Sequence, residues 1–251
     1  MTVTANAQTM DLRPTAAEFA ELSKGGHTLP IYREILADTD TPVSAYMKLR
    51  GECDHTFLFE SVEGGERGAR YCFLGIRPTQ IFRSRGQRVT IEDRVDGSSR
   101  TFEADPRQAL RKMMAPYTAA PQSGLPPFTG GAVGYLAYDG IRLVEDIPES
   151  ATDDLGLDDM VFALYETVIA FDNLRHTILV IANARVTDGQ SVDEAYADAR
   201  QRIDELEELL GRPTTLLSLG ADADMGAIRS NMPRAHYVDA IERCLEYIRA
   251  G

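Results

Sequence analysis

The sequence predicts an α+β fold, on three observations. Apolar and β-branched runs crowd residues 55–103, and Arg85-Gly86 and Asp96-Gly97 punctuate them as the tight turns of hairpins do. "MVFALYETVIAFDNLRHTILVIANAR" reads as two long strands around Asp172-Asn173. Helical stretches with recognisable starts and stops lie before, between and after these strands.

In chain order, residues 1–13 read as a polar tail. "PTAAEFAELSKGG" predicts a short helix with Pro14 at its start and Gly25-Gly26 at its end. "LPIYREILADTDTPVSAYMKLRG" enters extended at Pro30. It then turns helical at Pro42, the first helical position behind a Thr41 cap. Strands are expected at 55–61, 70–75, 79–84, 87–93 and 99–103. "DPRQALRKMMAPY" caps on Asp105, starts on Pro106 and runs through Leu110, Met113 and Met114. "LPPFTGGAVGYLAYD" is a glycine-rich aromatic strand. "SVDEAYADARQRIDELEELLGRP" is the clearest helix. Ser191 and Glu194 make a capping box, Ile203, Leu206 and Leu210 share a face, and Gly211 with Pro213 stop it. Residues 212–230 read as a linker, and 236–251 as a helix with Val238, Ile241, Leu245 and Ile248 in one stripe. That apolar stripe wants a partner, so the chain reads as part of a larger fold.

Composition narrows the function. The 251 residues are 43% hydrophobic, enough for a sizeable core, and carry a formal net charge of −13. No basic cluster offsets that charge, which disfavours both nucleic acid and anionic membranes. No apolar stretch approaches the roughly 18 residues of a membrane span, and "MTVTANAQTMDLRP" has neither the basic start nor the apolar core of a signal peptide. Cys53, Cys72 and Cys244 are odd in number and far apart, as expected of buried thiols in a reducing cytoplasm rather than a disulfide framework.

Several chemical readings fail on spacing. "GGERGAR" is neither a Walker loop nor a dinucleotide loop, because its flanks read as strand on both sides. The glycines of "GGAVGYLAYD" read as close packing against a neighbouring sheet, with Asp139 capping the turn that follows. Asp153, Asp154, Asp158 and Asp159 lack calcium-loop spacing and read as a solvated loop. His27, His55, His176 and His236 do not form a zinc pattern, so no catalytic or metal-binding residue is assigned in this chain.

"FLFESVEGGERGARYCFLG" is different in kind. Glu60 and Ser61 follow an apolar run, and Arg70 opens the returning strand. A carboxylate, a hydroxyl and a guanidinium beside an apolar wall suit a zwitterion. Glu60 would take the ammonium, and Ser61 with Arg70 the carboxylate. The competing reading is a buried Glu60–Arg70 pair that holds the hairpin together.

Four segments in order, "DTDTPVSAYMKL", "FLFESVEGGERGARYCFLG", "GGAVGYLAYDGIRLVEDIP" and "HYVDAIERCLEYIRAG", resemble anthranilate synthase component I, and beyond it the related aminodeoxychorismate synthase component I. The resemblance implies an α/β sandwich of mainly antiparallel sheets with outer helices, completed by a C-terminal half. It divides the chain into a tail and short helix (1–27), the family's amino-terminal domain (28–211), a linker (212–230) and the first helix of the chorismate-binding domain (231–251). Family enzymes are about twice this length. They make anthranilate and pyruvate from chorismate, with Mg²⁺ and with ammonia from a glutamine amidotransferase subunit, component II. The resemblance therefore implies a cytoplasmic hetero-oligomer when full length. It also implies that the active site, Mg²⁺ included, lies outside this chain. Leu58-Phe59-Glu60-Ser61 matches the family's Leu-Leu-Glu-Ser element at the feedback tryptophan site. Arg70-Tyr71 matches its Arg-Tyr-Ser segment, with Cys72 in place of the serine. A folate-pathway relative and a stand-alone amino-acid-binding module remain the alternatives.

Overall fold

The computed structural model describes residues 11–26, 28–52, 54–60, 70–119, 122–148, 152–214 and 229–251. Two compact units divide the chain, Met1–Thr214 and Thr215–Gly251.

The first unit is an α+β sandwich of two five-stranded sheets in which every strand pairing is antiparallel. In sheet one the order is β1 (Leu29–Leu36), β10 (Thr177–Ala184), β9 (Thr167–Asp172), β3 (Tyr71–Gly75) and β2 (Phe57–Phe59). In sheet two it is β6 (Ser99–Glu103), β5 (Arg88–Asp93), β4 (Gln80–Arg85), β8 (Met160–Tyr165) and β7 (Gly131–Leu136). The sequence gives only an extended entry at Pro30, whereas the chain forms a full eight-residue strand there. Proline is tolerated because β1 is an edge strand whose outer side is bridged at Tyr32, by Arg13, and not at Pro30.

The run expected as two long strands is three. β8 ends at Tyr165 in sheet two, and β9 begins at Thr167 in sheet one, so the chain changes sheets at Glu166. Glu166 interrupts the apolar run at the crossing, but a single charged residue reads equally well as an outward-facing position of one continuous strand. Asn183 marks it in three dimensions. Its Nδ2 donates to the Glu166 carbonyl at 3.2 Å and to the Thr129 carbonyl at 2.7 Å, and its backbone N–H donates to Glu166 at 2.7 Å. Arg202 donates to the Asn183 carbonyl at 2.9 Å from the adjoining helix.

Helices cover the outer faces where the sequence signals them. α1 (Ala16–Leu22) starts two residues after Pro14, because Thr15 and Glu18 form a capping box that fixes the first turn. α2 (Pro42–Leu49) caps on Thr41, and α3 (Pro106–Met114) on Asp105. The Asp105 carboxyl is drawn down to about 2, first by the Arg107 side chain. α4 (Val192–Leu210) opens on Ser191 and Glu194 and buries Ala195, Ala199, Ile203, Leu206, Leu209 and Leu210 against sheet one. Burial of each large side chain is worth roughly 1.5–3 kcal/mol. Arg33 of β1, nearly buried, donates to Asp204 at 2.9 Å and Glu207 at 2.6 Å and so ties the edge strand to α4.

Between the sheets, Phe57 and Val168 of sheet one meet Ile81, Ala163 and Tyr165 of sheet two. β7 approaches too closely for a side chain. A Cβ on Gly134 would strike the Val161 carbonyl and lie 2.7 Å from the Phe162 Cα, and one on Gly130 would strike the Asn183 amide. The strand is also shorter than expected, since Tyr138–Leu143 turns into a 3₁₀ helix. Asp139 there accepts from Arg142 at 3.0 Å.

The acidic loop does more than meet solvent. Asp153 pairs with Arg85, Asp158 with Arg83 at 3.5 Å, and Asp159 accepts from the Gly86 N–H at 2.6 Å, which latches the loop to the β4–β5 hairpin. At the β9–β10 turn, the buried Asp172 carboxylate accepts the Leu174 and Arg175 N–H groups at 3.1 and 3.2 Å, and also the Arg70 guanidinium. The second unit is described through one helix, α5 (Arg234–Ala250), which carries Val238, Ile241, Leu245 and Ile248 along one face.

Two predictions follow from this packing. Gly134→Ala forces the β8 backbone to move and is expected to cost about 1–3 kcal/mol. Gly51→Ala, which meets open space, is expected to cost far less, and chemical denaturation midpoints compare the two. Burial pushes the Asp172 carboxyl up, but the Arg70 hydrogen bonds and the two turn N–H groups outweigh it and hold the pKa below its usual value. The stability this adds is therefore present above the unfolded carboxyl pKa of about 4, and is lost as pH falls through the lower folded value. Asp172→Asn is expected to lose on the order of 2 kcal/mol at neutral pH and to flatten the acid limb of the stability–pH curve.

Candidate functional site

The mouth of the β2–β3 hairpin lies at the free edge of sheet one. β2 pairs with β3 through Phe57–Gly75, Leu58–Leu74 and Phe59–Phe73, so Phe59 and Phe73 stand directly opposite each other. Glu60 follows immediately and is exposed. Leu58, Phe59, Tyr71 and Phe73 join it around an open concavity of about 320 Å³. This is an apolar surface with a carboxylate at one end.

Arg70 stands at the start of β3, but its partner is not Glu60. Its Nη2 donates to Asp172 Oδ2 at 2.6 Å, and its Nε lies 3.1 and 3.2 Å from the two carboxylate oxygens. The hairpin is therefore held to the sheet by an Arg70–Asp172 pair, in place of the Glu60–Arg70 pair offered by the sequence. Register explains the choice: Tyr71 pairs with Asp172 across the ladder, so the residue before Tyr71 falls within reach of that carboxylate. The guanidinium also lies 4.7 Å from the centre of the Tyr71 ring. Hydrogen bonding to Asp172 holds the Arg70 pKa above its ordinary value. Burial, and then the Asp172 charge, raise that of the Tyr71 hydroxyl. Nη1 of Arg70 has no hydrogen-bond partner among the described residues.

The structure thus brings Glu60 to the apolar concavity and places Arg70 beside Tyr71, one of its walls. Ser61 and the "GGERGA" loop lie outside the described residues. Asp172 is the residue sequence reasoning missed. "DN" in "FDNLRH" marks a turn, but nothing in the sequence signals a partner 102 positions away. Of the cysteines, Cys72 is buried in the core, Cys244 is exposed on α5, and Cys53 lies outside the described residues. Among the described residues no three His, Cys, Asp or Glu side chains converge as a metal-holding group, and no helix is long and apolar enough to cross a membrane.

The family model for chorismate binding enzyme matches residues 54–251. Anthranilate synthase component 1 of Acinetobacter calcoaceticus is 37% identical over 242 residues, which are 93% of this chain and 47% of that protein. Its counterpart from Cereibacter sphaeroides is 38% identical over 232 residues, 91% of this chain and 46% of that protein. A solved anthranilate synthase component I from Streptococcus pneumoniae TIGR4 aligns over 69% of this chain and 36% of that one, at 28% identity. Its TM-score is 0.44, too loose to bear on how the sheets are arranged. The chain spans about half the length of the curated relatives it matches. By the match along residues 54–251, this chain belongs to the chorismate binding enzyme family, and its curated relatives are anthranilate synthase component 1 proteins.

Proposed function

We propose that this chain is the amino-terminal, tryptophan-sensing half of anthranilate synthase component I. That enzyme makes anthranilate and pyruvate from chorismate and ammonia in tryptophan biosynthesis. The observation that carries the reading is Glu60. It sits in the Leu58-Phe59-Glu60-Ser61 element and edges an apolar, aromatic concavity, in a chain similar to anthranilate synthase component 1 along 93% of its length.

In this reading the Glu60 carboxylate takes the ammonium of tryptophan, and Leu58, Phe59, Tyr71 and Phe73 offer the surface for the indole. Ser61 and Arg70 are the residues proposed to take the ligand carboxylate. Asp172 positions Arg70, since it holds two of the guanidinium nitrogens and leaves Nη1 for a ligand. Inhibition is then a population shift, in which tryptophan binds the inactive arrangement of the enzyme better than the active one. A swing from 1:99 to 99:1 needs about 5.5 kcal/mol of differential binding. Chemistry belongs to residues outside this chain, where Mg²⁺ is held and where ammonia arrives from the glutamine amidotransferase subunit of a cytoplasmic hetero-oligomer.

Three outcomes test the reading. The 251-residue chain, incubated with chorismate, ammonia and Mg²⁺, is expected to release no anthranilate above the protein-free control, and fluorescence of the product is the measurement. Turnover that co-purifies with the chain places the active site here and overturns the assignment. In the full-length enzyme, Ser61→Arg is expected to abolish tryptophan inhibition with the uninhibited rate retained, because a long guanidinium fills the ligand's volume and repels its ammonium. Glu60→Gln is expected to raise the inhibition constant roughly ten- to a hundredfold, the worth of one charge-assisted hydrogen bond. Initial rates against tryptophan concentration decide both, and unchanged inhibition in Ser61→Arg removes the regulatory role from this hairpin.

A further inference from the structure

A second cavity, sharing no residue with the hairpin mouth, lies on the outer face of sheet two. It encloses about 690 Å³ between α3 and the β5–β6 edge. Ladder register builds its floor. Ile91 of β5 stands opposite Arg100 of β6, and Val89 opposite Phe102, so Ile91, Arg100 and Phe102 share a face. α3 contributes Ala109 and Met113 from its buried side and Lys112 from its exposed side. Tyr117 follows α3, and Arg185, just beyond β10, closes one end.

The charge of this cavity is opposite to that of the chain. Arg100, Lys112 and Arg185 all line it, and no aspartate or glutamate does, in a protein of net charge −13. Arginines that do hold carboxylates, among them Arg33, Arg70, Arg83, Arg85 and Arg202, lie outside this cavity. The three cations here have no carboxylate partner among the described residues. Instead, Arg185 lies 5.1 Å from the centre of the Tyr117 ring and Arg100 5.8 Å from that of Phe102. The Glu166 carboxylate, whose charge Arg185 also feels, is paired with Arg202 at 3.7 Å. Its carboxylate is not among the groups lining the cavity.

Cations gathered over an apolar floor, with their guanidinium groups beside rings, match one kind of occupant. The volume lies within the range of small-molecule sites, roughly 300–1,000 Å³. Guanidinium groups pair with planar carboxylates through two parallel hydrogen bonds. We propose that this cavity binds a small amphipathic carboxylate, an apolar ring or chain seated on Ile91, Phe102 and Met113 with its acid group held by Arg100, Lys112 and Arg185.

Benzoate is the probe. With ¹³C-methyl methionine in the full chain and the Met113 signal assigned through Met113→Leu, benzoate is expected to shift that signal saturably, and neutral benzamide at least about tenfold more weakly. Lys112→Gln with Arg185→Gln is expected to weaken benzoate about tenfold or more while the remaining methionine signals stay in place. If the double variant does not fold, Arg100→Gln on the exposed edge strand reads the same loss. The proposal is overturned by a shift that never saturates, by equal binding of benzamide, or by unchanged affinity in the folded variants. Inorganic phosphate that matches benzoate in affinity also overturns it, since the apolar floor then recognises nothing.

Discussion

Both sheets depend on a crossing at one residue. β8 and β9 are almost continuous in sequence, yet they belong to different sheets, and Glu166 is the step between them. A chain that changes sheets leaves backbone groups outside both ladders, and buried backbone groups need partners. Asn183 supplies them, with its N–H and its side-chain amide both on the Glu166 carbonyl and the same amide on Thr129 ahead of β7. Arg202 then takes the Asn183 carbonyl and faces the Glu166 carboxylate at 3.7 Å, so α4 is tied to the crossing as well. Gly130 must lack a side chain because the Asn183 amide occupies that space.

Once the crossing is set, β10 is buried on both faces. Ile178, Val180 and Ala182 pack toward α4 and the outer helices, and Leu179 and Ile181 pack toward the interior with Ala170. All eight of its residues are buried, so its neighbours on either side are fixed by the need to cover it. This places β3 and β2 at the far edge of sheet one, where pairing ends and the Glu60 concavity opens. In sheet two, α3 covers the middle of the outer face, while the β5–β6 edge beyond it frames the cationic cavity.

The large acidic excess is not left to solvent alone. Acidic side chains fasten segments that would otherwise be loosely attached: Asp172 holds the hairpin through Arg70, Asp204 and Glu207 hold β1 through Arg33, and the 153–159 loop grips the β4–β5 turn. Against that pattern, a cavity lined by cations and by no carboxylate stands apart. Arg100, Lys112 and Arg185 line that cavity together.

Local structure was legible from neighbouring residues alone. Thr41, Asp105 and Ser191 begin the helices they signal, and the β4–β5 and β5–β6 hairpins turn where Gly86 and Gly97 allow positive φ, because caps and turns are short-range chemistry. The sequence also identified Glu60 as a carboxylate beside an apolar wall, since alternation and neighbours within a few residues carry that information. Long-range pairing was not legible in this way. The edge strand around Pro30, the crossing at Glu166, the partnership of Arg70 with Asp172 and the meeting of Arg100, Lys112 and Arg185 all join residues tens of positions apart. Each depends on strand order and register, which are settled by mutual burial of whole faces, and no single segment carries that information.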